Sequence, residues 1–167
     1  MPSSLPRFTL ARPSITVAVL LERRKAPNPW QEWSFGVADV VSDIEQFGAT
    51  PRVLRDVGRT ALFVHPGLRV TLFRDEAEGY YLNLVSGRPV WFVVWRIDDN
   101  DDSSAWPQSV TLSYNEAARL MDAQERVDIV PLPADVRDWM QAFVDENYQP
   151  EPKQRQRPAS FLAPGER

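Results

Sequence analysis

The sequence predicts an α+β domain: a mainly antiparallel, strongly curved sheet or small barrel of about six strands, with two helices in the C-terminal half. Three observations predict it. Apolar residues alternate at period two in two early segments, Ile15-Val17-Val19 and Trp33-Phe35-Val37. From residue 60 to residue 97, apolar runs are separated by short polar or Gly/Pro turns. Near the C-terminus Val136, Trp139, Met140, Phe143 and Val144 recur at i, i+3, i+4, i+7 and i+8, the spacing of one helix face.

The length of 167 residues suits one domain. A chain of this size buries about 70% of its unfolded surface, so a core forms without disulfides or metals. With no cysteine, disulfides, thiolate nucleophiles and cysteine-bound metal centres are excluded. The net charge of -4 gives the chain no global attraction for nucleic acid or anionic membranes. No run reaches the roughly 18 apolar residues of a membrane span. The opening MPSSLPRFTLARPS lacks an apolar segment of signal-peptide length, and the expected location is the cytoplasm.

Residues 1–13 hold three prolines and read as a disordered arm. The globular domain is expected over 14–148. ITVAVLLERR is its first strand, APNP a turn, and WSFGVADVV the second strand, in which Gly36 marks a bulge or a close backbone approach. Residues 42–58 show a broken pattern that fits a short helix, a loop or an irregular edge. TALFVH reads as a short strand closed by Pro66-Gly67. LRVTLFR and YYLNLVS read as the two arms of a hairpin around DEAEG. PVWFVVWRI is apolar almost throughout, as a strand buried on both faces would be.

IDDNDDSSAWPQ reads as a solvated acidic loop: a calcium loop needs glycine at its sixth position and glutamate at its twelfth, and both are missing. After the strand SVTL, Ser113 and Glu116 have the spacing of a capping box opening a helix, with Ala117, Leu120 and Met121 on its buried face. RVDIVPLP is a last strand. DVRDWMQAFVDENY is the final helix, with Asp135 suited to the positive end of its dipole. Residues 149–167, rich in Pro, Gln and Arg, read as a disordered tail.

The segments VLLERRKAPNPWQEW, FRDEAEGYYLNLVSGRPVWFVVWR, LSYNEAARLMDAQERVDIVPLP and EPKQRQR together resemble an uncharacterised bacterial domain-of-unknown-function family, over most of residues 15–157. The resemblance implies a link to molybdenum-dependent formate dehydrogenase and its maturation factors, near whose genes those of the family tend to lie. Some members carry the label of a molybdopterin-guanine dinucleotide synthesis protein. That chemistry needs a glycine-rich loop whose bare N–H groups cradle phosphates. The seven glycines here form no such cluster. The family's tail is a tighter EPF-x-K-R-K-R run. Here glutamines interrupt it and the aromatic residue after EP is missing.

No catalytic constellation is legible. His65 is the only histidine, is expected at a strand end, and has no Ser or Asp at a telling distance in sequence. A single histidine also argues against a transition-metal site, and no cofactor is expected. Asp75, Glu76 and Glu78, beside Tyr80, crowd the expected hairpin tip, where solvation keeps carboxylates ordinary. They read as a candidate partner contact.

The stretch ERRKAPNPWQEWSF divides by residue. Trp33 and Phe35 are expected in the core, while Arg23, Arg24 and Trp30 are candidates for a partner surface, since Arg and Trp dominate interface hot spots. Lys153, Arg155 and Arg157 of the tail are candidates for weak, salt-sensitive phosphate contacts. The expectation is a non-enzymatic accessory protein, with formate dehydrogenase or its maturation factors as the partner the resemblance implies. The alternatives are a small-ligand binder or enzyme with a pocket between the sheet and the final helix, and weak nucleic-acid binding through the tail.

Overall fold

The computed structural model describes residues 12–150. Within them the fold is mixed α/β, with two antiparallel sheets and three helices. The first sheet comprises β1 (Ser14–Lys25), β2 (Trp33–Ser42), β3 (Arg52–Asp56) and β4 (Thr60–Thr71), in the order β2-β1-β4-β3. The second comprises β5 (Val90–Asp98), β6 (Asp101–Thr111) and β7 (Arg126–Pro131), in the order β6-β5-β7. The helices are α1 (Ala77–Val85), α2 (Tyr114–Asp122) and α3 (Ala134–Asn147). The expected single curved sheet or barrel is thus two open sheets, and the two expected helices are joined by a third.

The main core forms where these layers meet. Val17, Val19, Val40 and Val70 come from the first sheet, Trp91, Val93, Val110 and Val130 from the second, Tyr80 from α1, and Met140, Phe143 and Val144 from α3. A smaller cluster of Leu21, Trp95 and Ala105 lies beside it, with Phe35, Val37 and Ile97 packed on. Strand β5 is central in its sheet, and Trp91 through Trp95 are all buried. This matches a strand apolar on both faces. Asp128 on β7 joins the sheets: its carboxylate accepts the amide of Val37, on edge strand β2, at 2.9 Å.

Several local expectations are corrected. YYLNLVS is helix α1, not a strand. Its short apolar run fits both periods, and Ala77, Tyr80 and Leu84 fall on the helical face that meets the core. DEAEG is therefore no hairpin tip but the single turn Arg74–Glu76 running into that helix. Pro66-Gly67 does not end a strand. Strand β4 runs through it with a bulge, since Val17 faces Leu68 while Val19 faces His65. Gly67 takes φ +80, which only glycine adopts at little cost, and its amide donates to Asp43 at 3.0 Å. Residues 42–58 contain a one-turn helix, Glu45–Phe47, and the exposed edge strand β3.

The acidic stretch is the tight β5–β6 hairpin. The Asp98 and Asp101 carboxylates accept the amides of Asn100 and Ser103, so side chains hold the turn that their like charges would otherwise open. Facing β1, the extra residue of β2 is Ala38 rather than Gly36, because Leu20 pairs with Asp39 and Leu21 with Val37. Met121 is 48% exposed instead of buried, because α2 is covered mainly along Ala117.

The capping box forms by half: the Ser113 amide donates to Thr111 Oγ1 rather than to the Glu116 side chain, whereas Ser113 Oγ accepts the Glu116 amide at 3.0 Å as expected. The same hydroxyl donates to Glu76 at 2.5 Å, and Glu76 also pairs with Arg119. Asn83, 1% exposed, donates from its amide group to the carbonyls of Val90 and Leu112 and accepts the Val90 amide. These bonds fasten α1 to the second sheet and to the start of α2.

Candidate functional site

The site is built on the loop end of the β1–β2 hairpin. Alternation along β1 sends Leu21, Arg23 and Lys25 to one face of the sheet and Glu22 and Arg24 to the other. Arg23 and Arg24 therefore do not share one partner surface. On the outer face Arg24 pairs with Glu22, and this pairing holds its guanidinium above the usual arginine range. On the inner face the Arg23 guanidinium lies 4.3 Å from the Trp33 ring centroid and 5.3 Å from that of Phe63. Lys25 reaches the same Trp33 ring at 5.6 Å. The tryptophan beside these cations is thus Trp33, a residue expected in the core. Trp33 is half-buried as the platform for two cations, and Phe35 packs on Trp95, 6.2 Å between centroids.

Trp30 stands apart at the hairpin tip and is 90% exposed. The tip around it is held in shape. Asn28 accepts the Gln31 amide at 2.9 Å, the Gln31 side chain donates to the Trp33 carbonyl at 2.7 Å, and the Ala26 amide donates to Glu32. Pro27 and Pro29 restrict the backbone further.

Behind Arg23 lies a cavity of about 360 Å³ between the first sheet and β6. Leu21, Phe35, Phe63 and His65 line it from the sheet, and Asp101 and Ser103 from the β5–β6 hairpin. Arg23 Nη1 donates to the Ser103 carbonyl at 2.9 Å, whereas its Nε is enclosed and without a hydrogen-bond partner. His65 is 8% exposed, and its Nε2 is also enclosed and unpartnered. Burial lowers the His65 pKa, which favours the neutral imidazole. Asp101 is held below the usual carboxylate range by the Ser103 hydroxyl and amide, with Arg23 adding a smaller effect. A larger cavity of about 680 Å³ lies between β1, β2 and α3, with Val40, Trp91, Val136 and Trp139 among its walls. It lies between the first sheet and the final helix, whereas His65 lines the smaller cavity.

The remaining candidates are scattered. Asp75 is exposed on the turn into α1 and Glu78 is exposed in the first turn of the helix. Glu76 is committed to Ser113 and Arg119. Tyr80 is 1% exposed, with its hydroxyl accepting the Phe73 amide at 2.9 Å, so it serves the core. Burial pushes its phenol up to about 12. Lys153, Arg155 and Arg157 lie outside the described residues. Sequence reasoning missed Phe63, Asp101 and Ser103 as neighbours of Arg23. Arg23 and Ser103 are 80 residues apart, and no local pattern signals their contact.

The fold and site define a two-sheet α/β domain with a cation–aromatic hairpin end above a small cavity. The chain belongs to the family described as "Protein of unknown function (DUF3305)", whose model matches residues 16–157. No curated protein and no solved structure matches it. Among the described residues no helix is long and apolar enough to cross a membrane.

Proposed function

We propose that this chain is a non-enzymatic accessory protein of the cytoplasm that binds a protein partner through the tip of the β1–β2 hairpin. The observation that carries this reading is Trp30, a large apolar side chain 90% exposed at the end of a braced turn. Tryptophan is among the residues that contribute most when buried at an interface. A tip already held by Asn28, Gln31 and two prolines loses little conformational freedom on binding. The resemblance of the chain's segments to a family linked with formate dehydrogenase makes a subunit or maturation factor of that enzyme the partner to test.

The test is capture of the full chain's partners from formate-dehydrogenase-expressing cytoplasm, with a parallel Trp30→Ala bait. Dehydrogenase subunits or maturation factors held by the wild type and lost by the variant support both the role and the surface. Their retention by the variant moves the contact elsewhere, and their absence from both removes the dehydrogenase reading. A second reading, small-ligand binding beside α3, is favoured by the 680 Å³ cavity. Saturable quenching of tryptophan emission by a ligand, weakened by Trp139→Ala, would support it.

A further inference from the structure

Arg23 is the unexplained cation of the inner face. A guanidinium held among aromatic rings calls for a compensating partner. Among the described residues Arg23 forms no ion pair. Two rings and one carbonyl hold the group in place and leave its Nε unused. The other unpartnered nitrogen of this cavity, His65 Nε2, belongs to the same face. Arg23 pairs with Ala61, and His65 lies four residues further along β4, about 13 Å of strand. Leu21 and Phe63 pair between them. The cavity thus has Arg23 at one end, an apolar middle and His65 at the other, with a second cation, Arg52, also on its wall and donating to the Gln46 carbonyl. Its volume falls at the small end of ligand sites.

We propose that this cavity binds a small monocarboxylate with an apolar body: the carboxylate on Arg23, the body across Leu21 and Phe63, and a polar group toward His65. Asp101 on the facing wall selects against a second negative charge, because its carboxylate is ionised and close enough to Arg23 to be influenced by it. Arginine suits the role because its planar donors match a carboxylate edge, which a lysine ammonium does not reproduce. The site is separate from the Trp30 tip and stands on different observations.

The experiment uses the full chain labelled with ¹⁵N. Phenylpropionate, 4-hydroxyphenylpropionate and hexanoate are titrated against their primary amides while the Arg23 Nε–H and His65 ring signals are followed. Expected is a saturable shift of both signals by at least one acid, with the matched amide weaker by about tenfold or more. Arg23→Gln should abolish the shift of the His65 ring signals. Arg23→Lys, which keeps the stacked cation and guards against a folding defect, should weaken it similarly, while Trp30→Ala leaves it intact. The proposal is overturned if no acid saturates the Arg23 signal, if acids and amides bind alike, or if binding survives both Arg23 variants.

Discussion

Gly79 on α1 and Ser113 at the start of α2 are fitted so closely that a Cβ on Gly79 would come within 2.0 Å of Ser113 Oγ. The hydroxyl has little room to retreat. Ser113 is 0% exposed, accepts the Glu116 amide and donates to Glu76. Gly79 is therefore required for the approach of two helices, although its own φ is ordinary.

Gly79→Ala should destabilise the fold by about 1–3 kcal/mol, the usual cost of overpacking a filled site. Ser113→Ala should cost about 1 kcal/mol through the lost cap. Urea denaturation of both single variants and the double variant tests the pairing. The double variant should lose less than the sum, because removing Oγ relieves the clash. Strict additivity would show that the two sites do not meet.

Asn83→Leu should cost about 3 kcal/mol, because the change keeps the branching but leaves buried backbone groups of Val90 and Leu112 without partners. Amide exchange should quicken at Val90, whose N–H loses its acceptor. A variant as stable as the wild type would mean that α1 is not fastened through this side chain.

The two neighbouring tryptophans should behave oppositely. Trp30→Ala removes an exposed ring and should leave stability within about 0.5 kcal/mol of wild type. Trp33→Ala removes the platform under Arg23 and Lys25 and should cost about 1–2 kcal/mol. Thermal unfolding of each variant decides this, and a reversed order would contradict the assignment of tip and platform.

His65 should make the fold less stable in acid. Its folded pKa lies below the ordinary 6.5, so between the folded value and 6.5 the unfolded chain binds more protons. Stability in that window rises with pH. The contribution is complete above 6.5 and is lost as pH falls toward the folded value. Because the chain has one histidine, an imidazole NMR titration reads it directly. A midpoint at or above 6.5 would refute the prediction. Urea midpoints should fall more steeply with acid in the wild type than in His65→Gln.

What could be read in the chain followed from how long and how local each pattern was. Helix α3 was legible because five apolar residues keep one period over nine positions. Strand β5 was legible because its run is apolar on both faces. Helix α1 was not, since YYLNLV is too short to separate a period of two from one of 3.6. Of the site, Arg23 and Trp30 stood out by residue type, but the ring that meets Arg23 did not. Trp30 and Trp33 are three residues apart, and only the register Lys25–Trp33 and Arg23–Phe35 determines which ring lies beside the guanidinium.

The sequence by itself determined the mixed α/β class, the β1 and β2 strands, the Ser113 cap and the final helix. Each rests on contacts within one turn or on one element's periodicity. The tertiary structure alone decided that the strands split into two sheets, that Glu76 and Tyr80 serve the interior, and that Arg23 meets Ser103 and shares a cavity with His65. Those outcomes depend on groups 37 and 80 residues apart being brought together by sheet register and layer packing. That information resides in the sum of many weak apolar contacts rather than in any short stretch of the chain.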